Sequence, residues 1–548
     1  MLKNIFKRQI NSITVAAALV ALSSLASRFL GVIRDRILAG HFGAGQTLDI
    51  YYAAFRVPDL IFNLVVLGAL SAGFIPIFTG LIKDLPCEWR AASNLFSRNR
   101  EAWNLANNML NIICLGLIFL ALLGIIFAPG WVRLITPGFS PEAQKLTAAL
   151  TRIMFLSPLF LGISGILGGI LQSFKRFLVY SLAPIFYNLG IIVGALYFVR
   201  LWGIYGLAAG VILGAFLHMA IQIPAVYHLG FRYRWLLKWR DQATRKIARM
   251  MVPRTLTLAI SQFNLVVMTI IASGLASGSL TIFNFANNLQ SFPIGIFGVS
   301  FAIAAFPALS AVAFNKEKLT VNFSQTMRQI LFFIIPATVL IIVLRAQIIR
   351  VVLGTGKFNW QDTILTMNTL GFFALSLFAQ ATIPLLIRVF YARHNSATPF
   401  YLGLSTVALN VVLSFCLGAK MGVAGLALAF SLANIFNFLL LWLWLHFVVG
   451  ALDLVRIIVA TLKFTVAALA SGIAAQLMKA AVWPFIDMSR FSGVFIQLVA
   501  AAFIGLLVYA FFCYLFKSEE LFGFLAALRQ RWPFKKVKVG DQGEARGV

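Results

Sequence analysis

The chain is a succession of long apolar stretches, and this feature restricts its fold more than any other. Fourteen runs stand out: 12–40, 49–82, 102–129, 143–174, 178–200, 203–228, 252–275, 279–313, 325–354, 361–393, 398–418, 422–449, 455–480 and 491–516. Each exceeds the roughly 20 apolar residues with which a helix crosses a bilayer. Backbone inside hydrocarbon must satisfy its own N–H and C=O groups, so such runs read as helices. Several are longer than the bilayer is thick, and tilt, kinks or extension into water are expected there. Hydrophobic residues make up 61% of the chain and charged ones 11%, against roughly 45–50% and about 25% in soluble domains. A cytosolic enzyme, a secreted disulfide scaffold and a disordered chain are excluded. The expected fold is an all-α polytopic membrane protein of about 14 transmembrane helices.

Lys3, Lys7 and Arg8 precede the apolar run from Ile13 to Ala26, as in a signal peptide. The run continues through Arg28 to Leu38 without a clear small-residue cleavage site, so it reads as an uncleaved first span. The net charge of +29 lies mostly in short connections, which points to membrane topology and away from nucleic acid. Both termini and the even-numbered connections carry 27 Lys and Arg, and the odd connections with their flanks carry 7. This asymmetry places both termini in the cytoplasm, in agreement with an even number of spans. Cys87, Cys114, Cys416 and Cys513 are scattered, without disulfide or metal spacing. The five histidines, His41, His218, His228, His394 and His446, are isolated and read as interfacial or satisfied. No phosphate loop, metal-ligand cluster or catalytic set is present, so neither a cofactor nor covalent chemistry is expected.

Internal similarity divides the chain. Spans 2 and 8 both carry an early polar patch, an internal proline, small residues and a late proline, aligning Pro76 with Pro307. In spans 4–5 and 10–11 an aromatic, basic turn joins two helices, with Asn188 and Asn410 in similar places. The expected organisation is two six-helix lobes related by a parallel repeat, 1–228 and 252–449, plus two further helices in 450–516. A basic, amphipathic linker at 229–251 is expected on the cytoplasmic membrane surface, and 517–548 forms a basic cytoplasmic tail.

Three carboxylates fall at membrane depth, Asp35, Asp49 and Asp59, beside Arg28, Arg34, Arg36 and Arg56. Each such charge costs about 2.5–3.5 kcal/mol on insertion scales, so these side chains should face protein or a wet cavity. Arg28 and Asp35 are seven apart, as are Asp49 and Arg56, which puts each pair on one helix face. Arg36 and Arg56 read as structural ion pairs or snorkelling ends, and Arg28, mid-span, as cavity-facing. Cations exceeding acids suit an anionic substrate, above all a phosphate. In span 8, Asn284 and Asn288 share a face and are cavity candidates; Asn104, Asn107, Asn108 and Asn111 in span 3 read as interhelical hydrogen bonders.

The stretches SRFLGVIRD (27–35), GALSAGFIPIF (68–78), QSFKRFLVYSLAPIFYN (172–188), FPIGIFGVSFAIAAFPALS (292–310), GTGKF (354–358) and YARHNSATPF (391–400) resemble the MurJ, or MviN, family of the MOP exporter superfamily. The resemblance implies two six-helix lobes around a central cavity, with spans 13 and 14 forming a groove for a lipid tail. It implies a flippase for lipid II, the undecaprenyl-diphosphate-linked peptidoglycan precursor, in the bacterial cytoplasmic membrane. The implied partners are lipid II, membrane lipids and cell-wall synthesis proteins. Arg28, Arg34 and Asp49 match charged positions of the family's first two helices. With Asn284 and Asn288 they form the expected substrate set, while Asp35, Arg56 and Asp59 are expected to gate or pair. The chain departs from the family at Phe62 and Asn63, where an Arg pair is common, and at Leu67, where an acid is common. It departs again at Asn288 and Ser291, where familiar members carry Arg and an acid. Export of another lipid-linked oligosaccharide or amphiphile is the alternative. A prenyl-phosphate enzyme would need clustered acids that Asp84, Glu88 and Glu101 do not supply, and a purely structural scaffold would leave Arg28 unexplained.

Overall fold

A computed structural model describes residues 13–67, 73–83, 100–450 and 452–531. Asp84, Glu88, the stretch 68–72 and the tail beyond Arg531 lie outside the described residues. Among those described, every regular element is a helix. The first lobe's region holds α1 (Ile13–Phe42), α2 (Gln46–Phe62), α3 (Ile75–Lys83), α4 (Arg100–Ile126), α5 (Ala128–Ile135), α6 (Pro141–Met154) and α7 (Ser157–Ser173). It continues with α8 (Phe177–Val193), α9 (Val199–Trp202), α10 (Tyr205–Ala220) and α11 (Ile223–His228). The following region holds α12 (Gln242–Ser273), α13 (Ser279–Pro293), α14 (Ser300–Ala311), α15 (Lys316–Val352), α16 (Trp360–Ala374), α17 (Leu377–Ala392), α18 (Ala397–Met421) and α19 (Val423–Val449). Last come α20 (Leu454–Val482), α21 (Phe491–Leu515) and α22 (Glu519–Arg531).

Among the described residues ten helical stretches are long and apolar enough to cross a membrane, or eleven when α16 and α17, bent by 44°, count as one. The protein is therefore a multi-pass, all-helical membrane protein. Several spans are interrupted. π-turns follow α2 at Asn63–Leu67, α8 at Gly194–Phe198 and α13 at Ile294–Val299. The fourth apolar run breaks after Met154, where Pro158 stands just inside the new helix. Starts are capped by side chains: Ser140 for α6, Asp241 for α12, Asn315 for α15, and an Asn359–Asp362 capping box for α16.

Packing is uneven along the bundle axis. At the end where α1 finishes, one core joins both halves: Leu38, Leu48 and Tyr51 pack with Phe283, Phe285, Phe358 and Phe373. At the other end there are two separate cores. One gathers Phe74, Phe78, Trp103 and Phe174 of the first half; the other gathers Phe323, Phe332, Phe390, Phe464 and Tyr509 of the second half with α20 and α21. Among the described residues the halves thus share a broad core at the Phe42 end, and toward the Ile13 end their cores are separate except where the start of α12, through Ile247, packs into the first half's core. At the joined end backbones nearly touch: Lys357 N–H donates to Gly40 O at 2.9 Å. Gly278, with φ +91°, sits where a Cβ would lie 2.0 Å from the Ala44 carbonyl oxygen.

The linker differs from expectation. Residues 231–238 lack helical structure, and α12 already begins at Gln242, ten residues before the expected span. Three of the span-3 asparagines bind this segment's backbone, and Asn108 also donates to Thr244 Oγ1 of α12 at 2.8 Å, among the described residues the one interhelical bond of the expected kind given by these three. Asn107 accepts from Arg234 N (2.8 Å) and donates to Arg232 O (3.1 Å), while Asn108 accepts from Lys238 N (2.6 Å) and donates to Lys238 O (3.0 Å). Asn111 donates to Arg234 O and Leu236 O and accepts from Tyr233 OH. An asparagine amide offers the same donor and acceptor as a peptide group. Three of them on one helix therefore replace the partners that a lone extended segment lacks.

Candidate functional site

The charged residues of α1 and α2 lie where the shared core gives way to open space. A cavity of about 360 Å³ is bordered there by Arg34, Arg56, Asp59, Tyr52, Asn284 and Asn288, among others. A second, of about 560 Å³, adjoins it toward the Ile13 end and contains Arg28. The two share Phe62, Leu161, Pro184 and His218 in their walls.

Arg34 is pre-engaged. Its Nε and Nη2 donate to Asp35 Oδ1 at 3.0 and 2.8 Å, and its Nη1 donates to Asn188 Oδ1 at 3.2 Å. The other Asp35 oxygen accepts from Asn288 Nδ2 at 2.8 Å, which ties α1 to α13. Asp35 thus pairs with its neighbour and with the opposite half, and not with Arg28, which shares its helix face. Seven residues of helix rise about 10.5 Å, too far for direct contact. Arg56 likewise crosses the interface, from Nε to Thr269 Oγ1 (2.9 Å) and from Nη2 to Asn284 Oδ1 (3.2 Å). Asp59 borders the first cavity, one turn from Asn63, whose Nδ2 donates to the Asp59 carbonyl at 2.8 Å. Arg36 reaches the Val351 carbonyl and lies 4.9 Å from the Phe491 ring centroid.

Arg28 is different. It is exposed, and its one side-chain hydrogen bond among the described residues is from Nη1 to Ser291 O at 3.3 Å. It borders the second cavity with donors to spare. It is the cation here best placed to receive an anion without first losing a strong partner.

Asp49, expected among the substrate contacts, borders neither cavity. It is 3% exposed and caps α13: Oδ2 accepts from Gly278 N (2.6 Å), and Oδ1 accepts from Thr281 N (2.8 Å) and Thr281 Oγ1 (2.6 Å). A carboxylate at a helix N-terminus meets orphan N–H groups and the positive end of the dipole. Nor does Asp49 pair with Arg56 two turns on. At the same end, Asp362 Oδ2 accepts from Ala44 N at 3.2 Å.

His218, read as interfacial or satisfied, lies inside the protein. It borders both cavities, and its Nδ1 stands 2.6 Å from Ser164 Oγ, which also receives Gln222 Nε2. The cue available in sequence was the spacing of His218 and Gln222, one helical turn apart among apolar residues. Among the described residues no group of three or more His, Cys, Asp or Glu is placed to hold a metal. The arrangement can bind an anion between two helical halves, one end closed over it.

Comparison with known proteins agrees with this geometry. A family profile described as "Lipid II flippase MurJ" matches residues 38–495. A "Probable lipid II flippase MurJ" of Buchnera aphidicola is 29% identical, covering 77% of this chain and 81% of the relative. The protein of the same description from Vibrio cholerae is 28% identical over 78% and 82%. A solved lipid II flippase MurJ in an inward closed conformation superimposes with a TM-score of 0.73 at 25% identity, over 91% of this chain and 98% of that one. An inward-facing MATE transporter of the MOP superfamily shares the fold, with a TM-score of 0.63 at 16% identity over 78% and 95%. With the profile spanning most of its length and the cation-lined cavity between its halves, the chain belongs to the MurJ lipid II flippase family.

Proposed function

We propose that the chain moves lipid II from the inner to the outer leaflet by alternating access, without covalent chemistry. The observation that carries this reading is the cation-bordered space between two halves whose broad shared core lies at one end, with only the start of α12 joining them at the other. The excess of Lys and Arg at the termini and even connections supports cytoplasmic termini, so the shared core seals the outer side. Family membership favours lipid II over another amphiphile as cargo.

A two-lobe reading, with fourteen spans and a linker at 229–251, draws support from correspondences at a fixed offset. Ser157 Oγ donates to Met154 O and Ser376 Oγ to Phe373 O. Lys175 and His394, both at φ 58°, end the turns after these helices, and Gly203 and Gly422 start the next pair at φ 55° and 60°. Each pair is 219 residues apart (376 − 157, 394 − 175, 422 − 203). Such positive-φ residues are uncommon outside glycine, so their recurrence at one offset favours a parallel repeat. Spans 13 and 14, as α20 and α21, present apolar side chains such as Val455, Leu462, Ile473, Phe503 and Phe511 outward, as a prenyl-tail groove requires.

In this mechanism Arg28 meets the diphosphate first, and Arg34 and Arg56 join as it enters. A phosphate oxygen is a better acceptor for guanidinium than an amide or hydroxyl. Entry therefore draws Arg56 from Thr269 and Asn284, and Arg34 from Asn188. The Arg56 bonds join the halves, so binding weakens the outer seal that must open for release. Membrane potential acting on the cavity cations, about 2.3 kcal/mol per charge per 100 mV, could assist inward closure. The test is lipid II binding and flipping in vesicles, wild type against Arg28→Ala. Salt-sensitive binding by wild type, with binding and flipping lost in a folded variant, is expected. Full flipping by Arg28→Ala refutes the role of Arg28, and folded wild type that does not bind lipid II refutes the cargo.

A further inference from the structure

The two adjoining cavities differ in chemistry. The first is bordered by Arg34, Arg56 and Asp59. Among the described residues the second has Arg28 as its one cation and no carboxylate in its wall. Its polar groups are neutral, among them Ser24, Ser164, Gln172, Tyr180 and His218. Neutral donors and acceptors around a hollow suit a ligand that is itself neutral and rich in hydroxyl or amide groups. Phosphate, by contrast, selects guanidinium.

Hydrogen-bonding capacity is left over in this cavity. Among the described residues neither the Ser24 nor the Tyr180 hydroxyl has a protein partner, and neither is among the buried, unpartnered atoms. The His218 ring is held through Nδ1 by Ser164, which leaves Nε2 as its uncommitted nitrogen. Arg28 stands in the wall of the same cavity and bridges α1 to Ser291 of α13. A diphosphate held at Arg28 therefore leaves its attached sugar beside these groups.

We propose that the second cavity is a saccharide subsite, in which Ser24, Tyr180 and His218 hydrogen-bond the sugar of a lipid-linked glycan whose diphosphate lies at Arg28. This rests on the flippase reading and adds specificity residues to it. The test uses purified full-length protein and two probes, undecaprenyl diphosphate and undecaprenyl-diphosphate-disaccharide without peptide. Wild type should bind the disaccharide form at least tenfold more tightly. The double variant Ser24→Ala/Tyr180→Phe removes two hydroxyls that bond nothing else described, so folding is spared. It should cut that preference about five- to tenfold, with undecaprenyl diphosphate affinity unchanged. His218→Leu should act in the same direction. Equal binding of both probes by wild type overturns the subsite and leaves the flippase reading standing. Loss of affinity for both probes alike in the double variant also overturns it. Binding of neither probe by folded wild type overturns both readings together.

Discussion

Asp49 should act as a latch for the outer seal, and Asp49→Asn tests this. Its two oxygens accept three hydrogen bonds of 2.6–2.8 Å from Gly278 and Thr281, across the interface between halves. Bonds to a charged group contribute about 1.5–3 kcal/mol each, and the dipole of α13 adds up to ~1. Asparagine keeps one acceptor but turns an N–H₂ toward a backbone donor. A loss of about 3 kcal/mol for the sealed state follows, roughly a 150-fold shift toward states open at that end. The readout is labelling of Ser157→Cys, a near-isosteric thiol in the cavity wall at a site 2% exposed. Cys87, Cys114, Cys416 and Cys513 are first replaced by alanine, and a membrane-impermeant maleimide is added outside. Asp49→Asn should speed labelling at least tenfold, in step with the population shift. An unchanged rate in the folded variant, with an exposed outer cysteine labelling normally, refutes the latch.

Four further outcomes follow from the same contacts. Gly278→Ala places a Cβ against the Ala44 carbonyl at a backbone angle that alanine resists, and should speed the same labelling reaction. Asn111→Ala strips Arg234 O and Leu236 O of their donor and Tyr233 OH of its acceptor. It should cost about 2–3 kcal/mol, seen as a lower unfolding midpoint in detergent and faster proteolysis within 231–238. Hydrogen bonding from Arg456, then from Arg328, holds the Glu519 carboxyl below its usual range. That contribution is present above the ordinary carboxylate pKa and fades as pH falls through the lowered one, so spin labels on α22 and on α20, which carries Arg456, should separate in acid below the usual carboxylate range and not at pH 7. Asn288→Arg would pair with Asp35 and free Arg34; it should tighten undecaprenyl diphosphate binding about tenfold at low salt, and unchanged affinity would count against Arg34 as a phosphate ligand.

The helices were legible because an apolar run of this length has few alternatives in a bilayer. Their interruptions were less so. The break before Ser157 carried a signal in Pro158, whereas the π-turns at Asn63–Leu67 and Ile294–Val299 follow Pro58 and Pro293 by different distances. The charged residues of α1 and α2 stood out for their cost at membrane depth. Their partners did not, because Asp35 with Asn288 and Arg56 with Asn284 join positions more than 220 apart in sequence. Asp49 was misplaced for a related reason. A carboxylate facing a helix N-terminus has no partner side chain to be found by spacing, and the available hint was Gly278 ahead of Ser279 and Thr281. The asparagines of α4 had the right chemistry but mostly other partners: Asn108 reaches Thr244 of another helix, while the remaining bonds go to the backbone of 232–238, which binds an amide as well as another helix does.

The chain's departures from the family pattern bear on how cargo and conformation are coupled. Where familiar members carry Arg, Asn288 donates to Asp35. An Arg at that place would pair with Asp35 and release the charge of Arg34 toward the substrate; the amide carries none and serves the interface alone. Around the first cavity Arg34 and Arg56 are offset by Asp35 and Asp59, so net positive charge comes from Arg28 in the neighbouring cavity. A site balanced in this way holds a diphosphate mainly by exchanging partners, and Arg56 gives up acceptors across the interface for a phosphate oxygen. The binding energy that remains is smaller than an unpaired Arg cluster would supply, but more of it depends on the conformation. Because the Arg56 bonds span the two halves, a ligand that displaces them binds better when the seal is already loose. By reciprocity the same ligand loosens the seal to an equal degree, which is the condition for a carrier that opens outward loaded more readily than empty.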